Sequence, residues 1–291
     1  MRSFSDGNPV AVALYFAAVA GIAMFCMHPV LLMLSLFGAI LFAVVQNGTR
    51  LKNHLGYLGL FLLLALINPI VSHNGVTVLF VVNNTPITME AVLYGLAAAG
   101  MIVGVLYWFG SFTAIMTSDK LLYLFGKLSP RLALILSMGL RYVPLFRRQS
   151  QKIQRAQTAM GLYKEDNIAD RIKGGVRVFS VMVTWGLENG IITADSMTAR
   201  GYGTGKRSQL ALFRFCTSDW VLLALTAVLA ALTCIPIAAG HMSFVFYPAV
   251  TYPPATPLTV MGWCSYGTLA LLPTIMEAEE RIKWKFLQSR I

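Results

Sequence analysis

The amino-acid sequence predicts an all-α, polytopic membrane protein with about six spans and two long helices on the cytoplasmic side. Three observations predict this fold class. Hydrophobic residues make up 57% of the chain and charged residues only 12%, about half the charged share of a water-soluble domain. Several stretches run for 17 or more residues without Asp, Glu, Lys or Arg, a length that can cross a bilayer as a helix. A polar segment of roughly a hundred residues with helical periodicity lies between these stretches.

The apolar stretches are interpreted as six spans. They lie near residues 9–27, 29–46, 54–71, 88–117, 219–240 and 257–276. Pro29 opens the second span, where its missing backbone donor costs nothing. Thr88 can cap the fourth span, and Glu90 suits the positive end of that helix. One face of the fourth span is lined by small residues, which favour close packing with a neighbouring span or a partner: Gly95, Ala99, Gly100 and Gly104.

The distribution of basic residues predicts the orientation. All 23 Lys and Arg residues lie in the N-terminus, the loop at 47–53, the segment 118–218 or the C-terminal tail. These regions are cytoplasmic by the positive-inside tendency, so both termini are expected on the inner side of the cell membrane. The apolar stretch at 132–146 is expected to stay on that side, because a crossing there would place the many basic residues that follow it outside.

The chain divides into three parts on this basis. Residues 1–117 hold the first four spans, residues 118–218 form a cytoplasmic helical platform, and residues 219–291 hold the last two spans and a basic tail. The platform is too long for a connecting loop. We therefore expect it to carry a structure of its own.

The platform is predicted to contain two helical arms. The first runs from about residue 132 to 160 and stops at Gly161, with a kink expected at Pro144. The second runs from about residue 168 to 200 and stops at Gly201. Glycine is the usual residue after a helix end because it tolerates the left-handed conformation. Apolar residues recur along the second arm at helical spacing, so it is expected to pack against a neighbour: Val178, Val181, Met182, Trp185 and Ile192.

The two arms end in similar tripeptides. The first ends in Ala159, Met160 and Gly161, and the second in Ala199, Arg200 and Gly201. A basic residue in a last turn also complements the helix dipole. From the residues alone, Arg200 is therefore either a helix-stabilising cation or a contact residue for a partner.

The glycine-rich stretch from Met197 to Ser208 does not fit a phosphate-binding loop. Such a loop places Gly-x-x-x-x-Gly-Lys-Ser/Thr between a strand and a helix, so that backbone N–H groups point at the phosphates. Here Lys206 is followed by Arg207, and a helix precedes the glycines. A nucleotide site on this chain is therefore not expected.

Basic residues on the first arm raise nucleic-acid binding as a hypothesis: Arg147, Arg148, Lys152 and Arg155. Cytoplasmic segments next to a membrane are basic in any case, for topology and for contact with anionic lipid. Aromatic residues that would stack on bases are not interleaved there. The lipid bilayer, and not nucleic acid, is the expected partner of these charges.

Catalytic and metal-binding patterns are not found in the sequence. There is no paired-carboxylate cluster, no His-rich metal spacing and no Gly-x-Ser-x-Gly motif. The four cysteines lie in or beside apolar runs, none at metal-ligand spacing, and are expected to be reduced: Cys26, Cys216, Cys234 and Cys264. Among ionisable groups, His54 and Glu90 lie only at span edges. An ion-coupled transporter usually needs such groups within its spans.

Two motifs carry a resemblance to a known family. The sequence "GLRYVPLFRRQSQKIQRAQTAMG", followed by "ENGIITADSMTARGYG", resembles the transmembrane T component of energy-coupling factor (ECF) importers, which are ABC-type transporters. The resemblance covers most of the chain, and its most specific part is Ala199, Arg200 and Gly201. The last two spans are the least diagnostic.

The resemblance implies a scaffold and not an enzyme. Two ABC ATPase subunits would bind the ends of the two coupling helices, at Ala159–Gly161 and at Ala199–Gly201. ATP and Mg would belong to those subunits, and this chain itself would bind no cofactor. A separate S component would capture a vitamin or metal ion and release it inside when ATP hydrolysis moves the coupling helices, for which Pro144 is a candidate hinge. Met160 departs from the family pattern, which has arginine at this position.

Two other readings remain open at this point. One is an autonomous secondary transporter or channel with a cytoplasmic helical regulatory domain. The other is a membrane anchor that recruits a different cytoplasmic protein or a nucleic acid. Intramembrane charge or a repeat of broken helices would favour the first of these, and neither is found in the sequence.

Overall fold

The computed structural model describes residues 4–47, 51–72, 75–82, 85–162, 168–205, 213 and 215–288. They fall into two units, residues 1–121 with 213–291 and residues 122–212. In chain order the helices are α1 (Pro9–Phe25), α2 (Pro29–Asn47), α3 (Leu51–Val71), α4 (Met89–Ile115), α5 (Ser118–Leu128), α6 (Pro130–Ala159), α7 (Ile168–Ala199), α8 (Thr217–Ala238) and α9 (Pro257–Gln288). A 3₁₀ turn (Phe4–Asp6) precedes α1, and strands β1 (Val78–Val82) and β2 (Thr85–Thr88) lie between α3 and α4.

The predicted all-α membrane fold is confirmed. Among the described residues, five helices are long and apolar enough to cross a membrane, namely α2, α3, α4, α8 and α9. The first predicted span corresponds to α1, which is apolar but has only 17 residues. Neither α6 nor α7 belongs to the spanning set, as expected for the platform arms. The division at residues 117 and 218 into three functional parts stays a prediction.

The first unit is a bundle in which α2 lies against both α4 and α9, while α3 packs on α4 and α8 packs on α1 and α9. Aromatic side chains fill the centre of this bundle, and the polar atoms of two of them, Trp108 and Tyr15, are hydrogen-bonded. The indole N–H of Trp108 donates to the Ser35 hydroxyl at 3.1 Å. The Tyr15 hydroxyl donates to the carbonyl of Leu269 at 2.7 Å. Such bonds allow amphipathic rings to be fully buried.

Small residues let the spans approach one another. A methyl group at Gly38 on α2 would lie 2.8 Å from the Cβ of Ala270 on α9. A methyl group at Gly95 on α4 would lie 2.9 Å from the carbonyl oxygen of Ala65 on α3. Gly104 faces the α2 backbone. The expectation that the small face of α4 packs against neighbouring spans is therefore confirmed at Gly95 and Gly104.

Side-chain oxygen acceptors close the starts of three helices among the described residues of this unit, and the first is α1, where the Asn8 side chain accepts from the backbone N–H of Val10 at 3.1 Å. Thr88 caps α4 as predicted, accepting a hydrogen bond from the backbone N–H of Ala91 at 3.3 Å. On α8, the buried carboxylate of Asp219 accepts bonds from the backbone N–H groups of Cys216 and Asn8, each at 2.9 Å. Because Asn8 precedes α1, Asp219 joins the beginnings of two helices that are far apart in sequence.

The described residues between α3 and α4 form an antiparallel β-hairpin, for which the sequence analysis predicted no strand. The physical reason is a run of β-branched and aromatic residues from Val76 to Val82, which favours extended backbone.

The second unit contains the two predicted arms, α6 and α7, which pack together as an antiparallel pair. On α7, Val178 and Met182 are buried against α6, and Trp185 is half-buried. Val181 and Ile192, the other two residues of the predicted set, are 43% and 60% exposed and do not share this burial.

Candidate functional site

The end of α6 is a Schellman motif. Gly161 has a φ of +71°, in the left-handed region that favours glycine. Its backbone N–H donates to the carbonyl of Thr158 at 2.9 Å, and the N–H of Leu162 donates to the carbonyl of Gln157 at 2.9 Å. These two bonds satisfy helix-end carbonyls that would otherwise be unpaired. They leave the side chain of Met160, in the cap position, 63% exposed.

The end of α7 repeats this geometry bond for bond. Gly201 has a φ of +78°. Its N–H donates to the carbonyl of Thr198 at 2.9 Å, and the N–H of Tyr202 donates to the carbonyl of Met197 at 3.0 Å. Arg200 occupies the cap position, as Met160 does on α6, and is exposed. The predicted role of both glycines as helix stops is confirmed.

The structure brings each predicted docking triplet together, but it keeps the two triplets apart. Tyr142 of α6 bonds the Thr193 hydroxyl of α7 at 2.9 Å, and Arg177 of α7 donates to the carbonyl of Leu162 at 3.1 Å. This pairing is antiparallel, so the two tips point in opposite directions. The length of helix between Arg177, beside the α6 tip, and Arg200, at the α7 tip, is about 35 Å at a rise of 1.5 Å per residue. Two separate contact points result, and not one combined site.

Aromatic packing holds the middle of the pair. The Phe146 ring of α6 lies edge-on to the Trp185 ring of α7, with ring centroids 5.5 Å apart. Gly186 comes close to the same Phe146 ring, since a methyl group there would lie 3.0 Å from it. The expectation that Trp185 and Met182 pack the arms together is confirmed by these contacts and by the burial of Met182.

A groove of about 760 Å³ lies between α6 and α7. Its lining is largely apolar, with a few polar groups along the α6 side. The lining includes Phe146, Ser150, Gln154, Phe179, Val183 and Leu187. A groove of this shape between two helices can accept an apolar segment of another protein.

An unbroken stripe of exposed apolar side chains runs along α7 beside its packed face, and three of its members also line the groove. Its members recur every three or four residues and are between 44% and 81% exposed: Ile168, Ile172, Val176, Phe179, Val183, Leu187 and Ile191. A large exposed apolar surface of this kind marks a binding surface. The sequence interpretation missed it, although its spacing of three and four residues is as regular as that of the packed face.

Pro144 lies inside α6, on an exposed part of the helix. The helix continues through it to Ala159, and the proline leaves one carbonyl of the preceding turn without its usual donor. The role of Pro144 as a hinge stays a prediction.

These features define the class of protein: a multi-pass helical membrane protein that carries an antiparallel pair of long helices with matching Ala-x-Gly ends. The sequence matches the model of the CbiQ family, described as cobalt transport protein, over residues 2–212. Because this match covers more than half of the chain, the chain belongs to the CbiQ family.

Three curated proteins are similar to part of the chain. The energy-coupling factor transporter transmembrane protein EcfT of Lacticaseibacillus paracasei is 35% identical over 104 residues, 34% of this chain and 39% of that protein. EcfT of Listeria innocua is 35% identical over 103 residues, 35% of this chain and 39% of that protein. EcfT 1 of Listeria monocytogenes is 33% identical over 76 residues, 26% of this chain and 29% of that protein. The matched part is thus well under half of each relative, and the resemblance to an ECF transporter T component is confirmed.

Proposed function

We propose that this protein is the scaffold through which two ATPase subunits drive the release of a vitamin or metal ion from an S component. The observation that carries the proposal is the pair of matching Schellman ends at opposite ends of α6 and α7. A two-fold pair of ATPase subunits needs two similar contact points at a distance from each other, and the two tips have this arrangement. The family description, cobalt transport, agrees with a metal ion as cargo.

The two tips offer different chemistry on the same backbone. Arg200 presents a planar guanidinium that can pair with a carboxylate or with carbonyl oxygens of an ATPase. Met160 presents a flexible apolar side chain to the other ATPase. The polar contact is therefore assigned to the α7 tip, and the contact at the α6 tip is assigned to packing of Met160 against an apolar groove.

The S component is assigned to the apolar surfaces of the α6–α7 pair. The exposed stripe of α7 and the groove beside it are too apolar to face water, and a membrane-embedded partner is rich in the apolar surface that fits them. A change in the position of either arm would then be transmitted directly to the S component.

An ion-driven transporter is disfavoured by the use of the buried charges in the bundle. Among the described residues, Glu90 and Asp219 are the buried Asp, Glu, Lys or Arg side chains, at 3% and 4% exposure. Both lie in the first turn of a helix and accept backbone N–H bonds. These bonds give both carboxylates a structural role at a helix start, and the energy for transport is therefore assigned to ATP and Mg bound by the partner subunits.

The test is the substitution Arg200→Ala in the complex with its ATPase subunits. Loss of a desolvated charged contact costs about 2–5 kcal/mol of association, so the affinity should fall by roughly 30-fold or more. Arg171→Ala is the matched control, because it removes the same charge from an exposed site on the same helix. Binding is measured with purified proteins in detergent, and uptake is measured in cells.

The proposal requires Arg200→Ala to reduce both binding and uptake while Arg171→Ala leaves both near wild type. Equal effects of the two variants would show that only the net charge of α7 matters, and would overturn the docking role. Normal amounts of both variants in the membrane fraction establish that insertion is intact.

A further inference from the structure

The β1–β2 hairpin exposes apolar side chains on both of its faces. The pairing of β1 has a register irregularity between Val78 and Phe80, and the residues after it, Phe80 and Val81, point to opposite faces of the strand. Four consecutive residues of β1 are nevertheless exposed to a similar extent. These fractions are 52% for Val78, 51% for Leu79, 59% for Phe80 and 61% for Val81. A hairpin in water normally buries one face and exposes polar residues on the other. This one has no polar face on β1.

The base of the hairpin is fixed to the bundle. The Glu90 carboxylate accepts hydrogen bonds from the backbone N–H of Thr77, at 3.2 and 3.3 Å, and from the Thr77 hydroxyl. The N–H of Met89 donates to the carbonyl of Thr77 at 3.0 Å. Gly75 has a φ of +144°, and a methyl group there would lie 2.6 Å from the Glu90 carboxylate. The strands therefore project from a fixed base, and their apolar exposure is not the result of a loose loop.

The hairpin continues the lipid-facing surface of the spans on each side of it. The segment from residue 72 to 88 contains no Asp, Glu, Lys or Arg. It follows α3, of which only 6% of the residues from His54 to Val71 are buried. The last residues of α3 are strongly exposed, with Ile70 at 66% and Val71 at 72%. An uncharged apolar surface thus runs from the span into the strands.

We propose that the β1–β2 hairpin is a membrane anchor that lies in the boundary between lipid headgroups and acyl chains, on the side of the bilayer whose turns carry no Lys or Arg. Exposure on both faces selects lipid over a protein partner, because a docked protein would cover one face and leave the other in water. The depth of the hairpin in the bilayer is set by the unpaired backbone groups at its edges. Among the described residues the sheet has two strands, so each strand has an outer edge whose N–H and C=O groups need water or headgroups.

The test measures the surroundings of opposite faces separately. The full chain, with its four cysteines replaced by alanine, carries a single nitroxide-labelled cysteine at position 80 or 81, which are consecutive residues in regular register with β2 and therefore lie on opposite faces of β1. The protein is reconstituted in vesicles of phosphatidylcholine and phosphatidylglycerol. Accessibility to oxygen, which partitions into lipid, is compared with accessibility to a water-soluble nickel chelate. Leu62 on α3 serves as the lipid reference and Thr204 as the water reference, since both are exposed.

The proposal expects labels at both positions to favour oxygen over nickel, at a depth shallower than the Leu62 label. Strong nickel accessibility at both positions would place the hairpin in water and overturn the proposal. Protection of one face from both reagents, in the chain alone or with partner subunits, would show a protein contact and would also overturn it.

A second variant keeps the result independent of misfolding. Phe80→Lys, combined with a label at Val81, should move that label towards nickel accessibility, because a charge at position 80 draws the strand out of the lipid boundary. The Leu62 label must stay lipid-exposed in the same variant. A Val81 label that remains in lipid despite the lysine would contradict the proposed anchoring by apolar side chains.

Discussion

Packing between α6 and α7 depends on the absence of a side chain at Gly186. A methyl group there would lie 3.0 and 3.1 Å from two atoms of the Phe146 ring, closer than an ordinary contact. We predict that Gly186→Leu separates the two arms locally. Gly190→Leu is the matched control, because it makes the same change one turn further along α7, where a methyl group meets nothing within 4 Å.

The magnitude follows from the difference between the two variants. Each exchanges glycine for leucine inside the same helix and gains about 1 kcal/mol of helix propensity, so this contribution cancels. What remains is the overpacking at Phe146, which costs about 1–3 kcal/mol when a well-packed site must accept extra carbon atoms. At about 1.4 kcal/mol for each factor of ten, the local opening of α7 should be roughly 5- to 150-fold more frequent in Gly186→Leu than in Gly190→Leu.

Amide hydrogen exchange of purified protein in detergent measures this opening. Peptides that cover the middle of α7 should exchange faster in Gly186→Leu than in Gly190→Leu, while peptides from α2 and α9 should not differ. Equal exchange of α7 in the two variants would mean that the Phe146 contact does not hold the arms together. In that case the antiparallel pair would have to be held mainly by its hydrogen bonds.

Two further predictions concern the bundle. Asp219→Ala leaves two backbone N–H groups without their charged acceptor and should destabilise the bundle by about 3 kcal/mol or more. Ser218→Ala, at the exposed neighbouring position of the same turn, is the control and should change the stability little. Thermal unfolding in detergent compares the two variants. Gly38→Val forces a side chain into the 2.8 Å gap to Ala270 and should lower the stability of the bundle by about 1–3 kcal/mol. Gly21→Val is the control, because a methyl group at Gly21 meets nothing within 4 Å, and it should not lower the stability in this way. Thermal unfolding again compares the two variants. Equal unfolding temperatures within either pair would contradict the assigned contact.

The spans and the helix ends could be predicted from the sequence because their causes are local. A long uncharged stretch must be helical in a bilayer, since its backbone groups find no water there. Gly161 and Gly201 mark helix ends because a left-handed residue is needed at that position. The Thr88 cap depends on one side chain three residues before its donor. None of these features requires knowledge of the tertiary fold.

Features that depend on distant partners could not be predicted. Asp219 bonds the backbone of Asn8, 211 residues away, and nothing in the local sequence of either residue indicates this pairing. The sequence predicted that α7 packs against a neighbour but not which of its apolar side chains meet α6, because apolar residues surround much of this helix; Val181 and Ile192 are exposed, whereas Val178 and Met182 are buried. The hairpin was missed because β1 is short and apolar throughout, without the alternation that identifies a half-buried strand, and β2 has only four residues.

The two tips share their backbone geometry, and this restricts where asymmetry between the ATPase contacts can arise. Both ends make the same pair of backbone bonds around a left-handed glycine, so the cap residue leaves the helix in the same direction at each tip. In the proposed complex, a difference in ATPase affinity between the tips must therefore come from the side chains of Met160 and Arg200 and from the residues that meet them. A guanidinium gains from carboxylates in its groove, whereas a thioether gains only from apolar contact. The subunit that binds the α6 tip needs an apolar groove, and the one that binds the α7 tip needs an acidic or carbonyl-rich one.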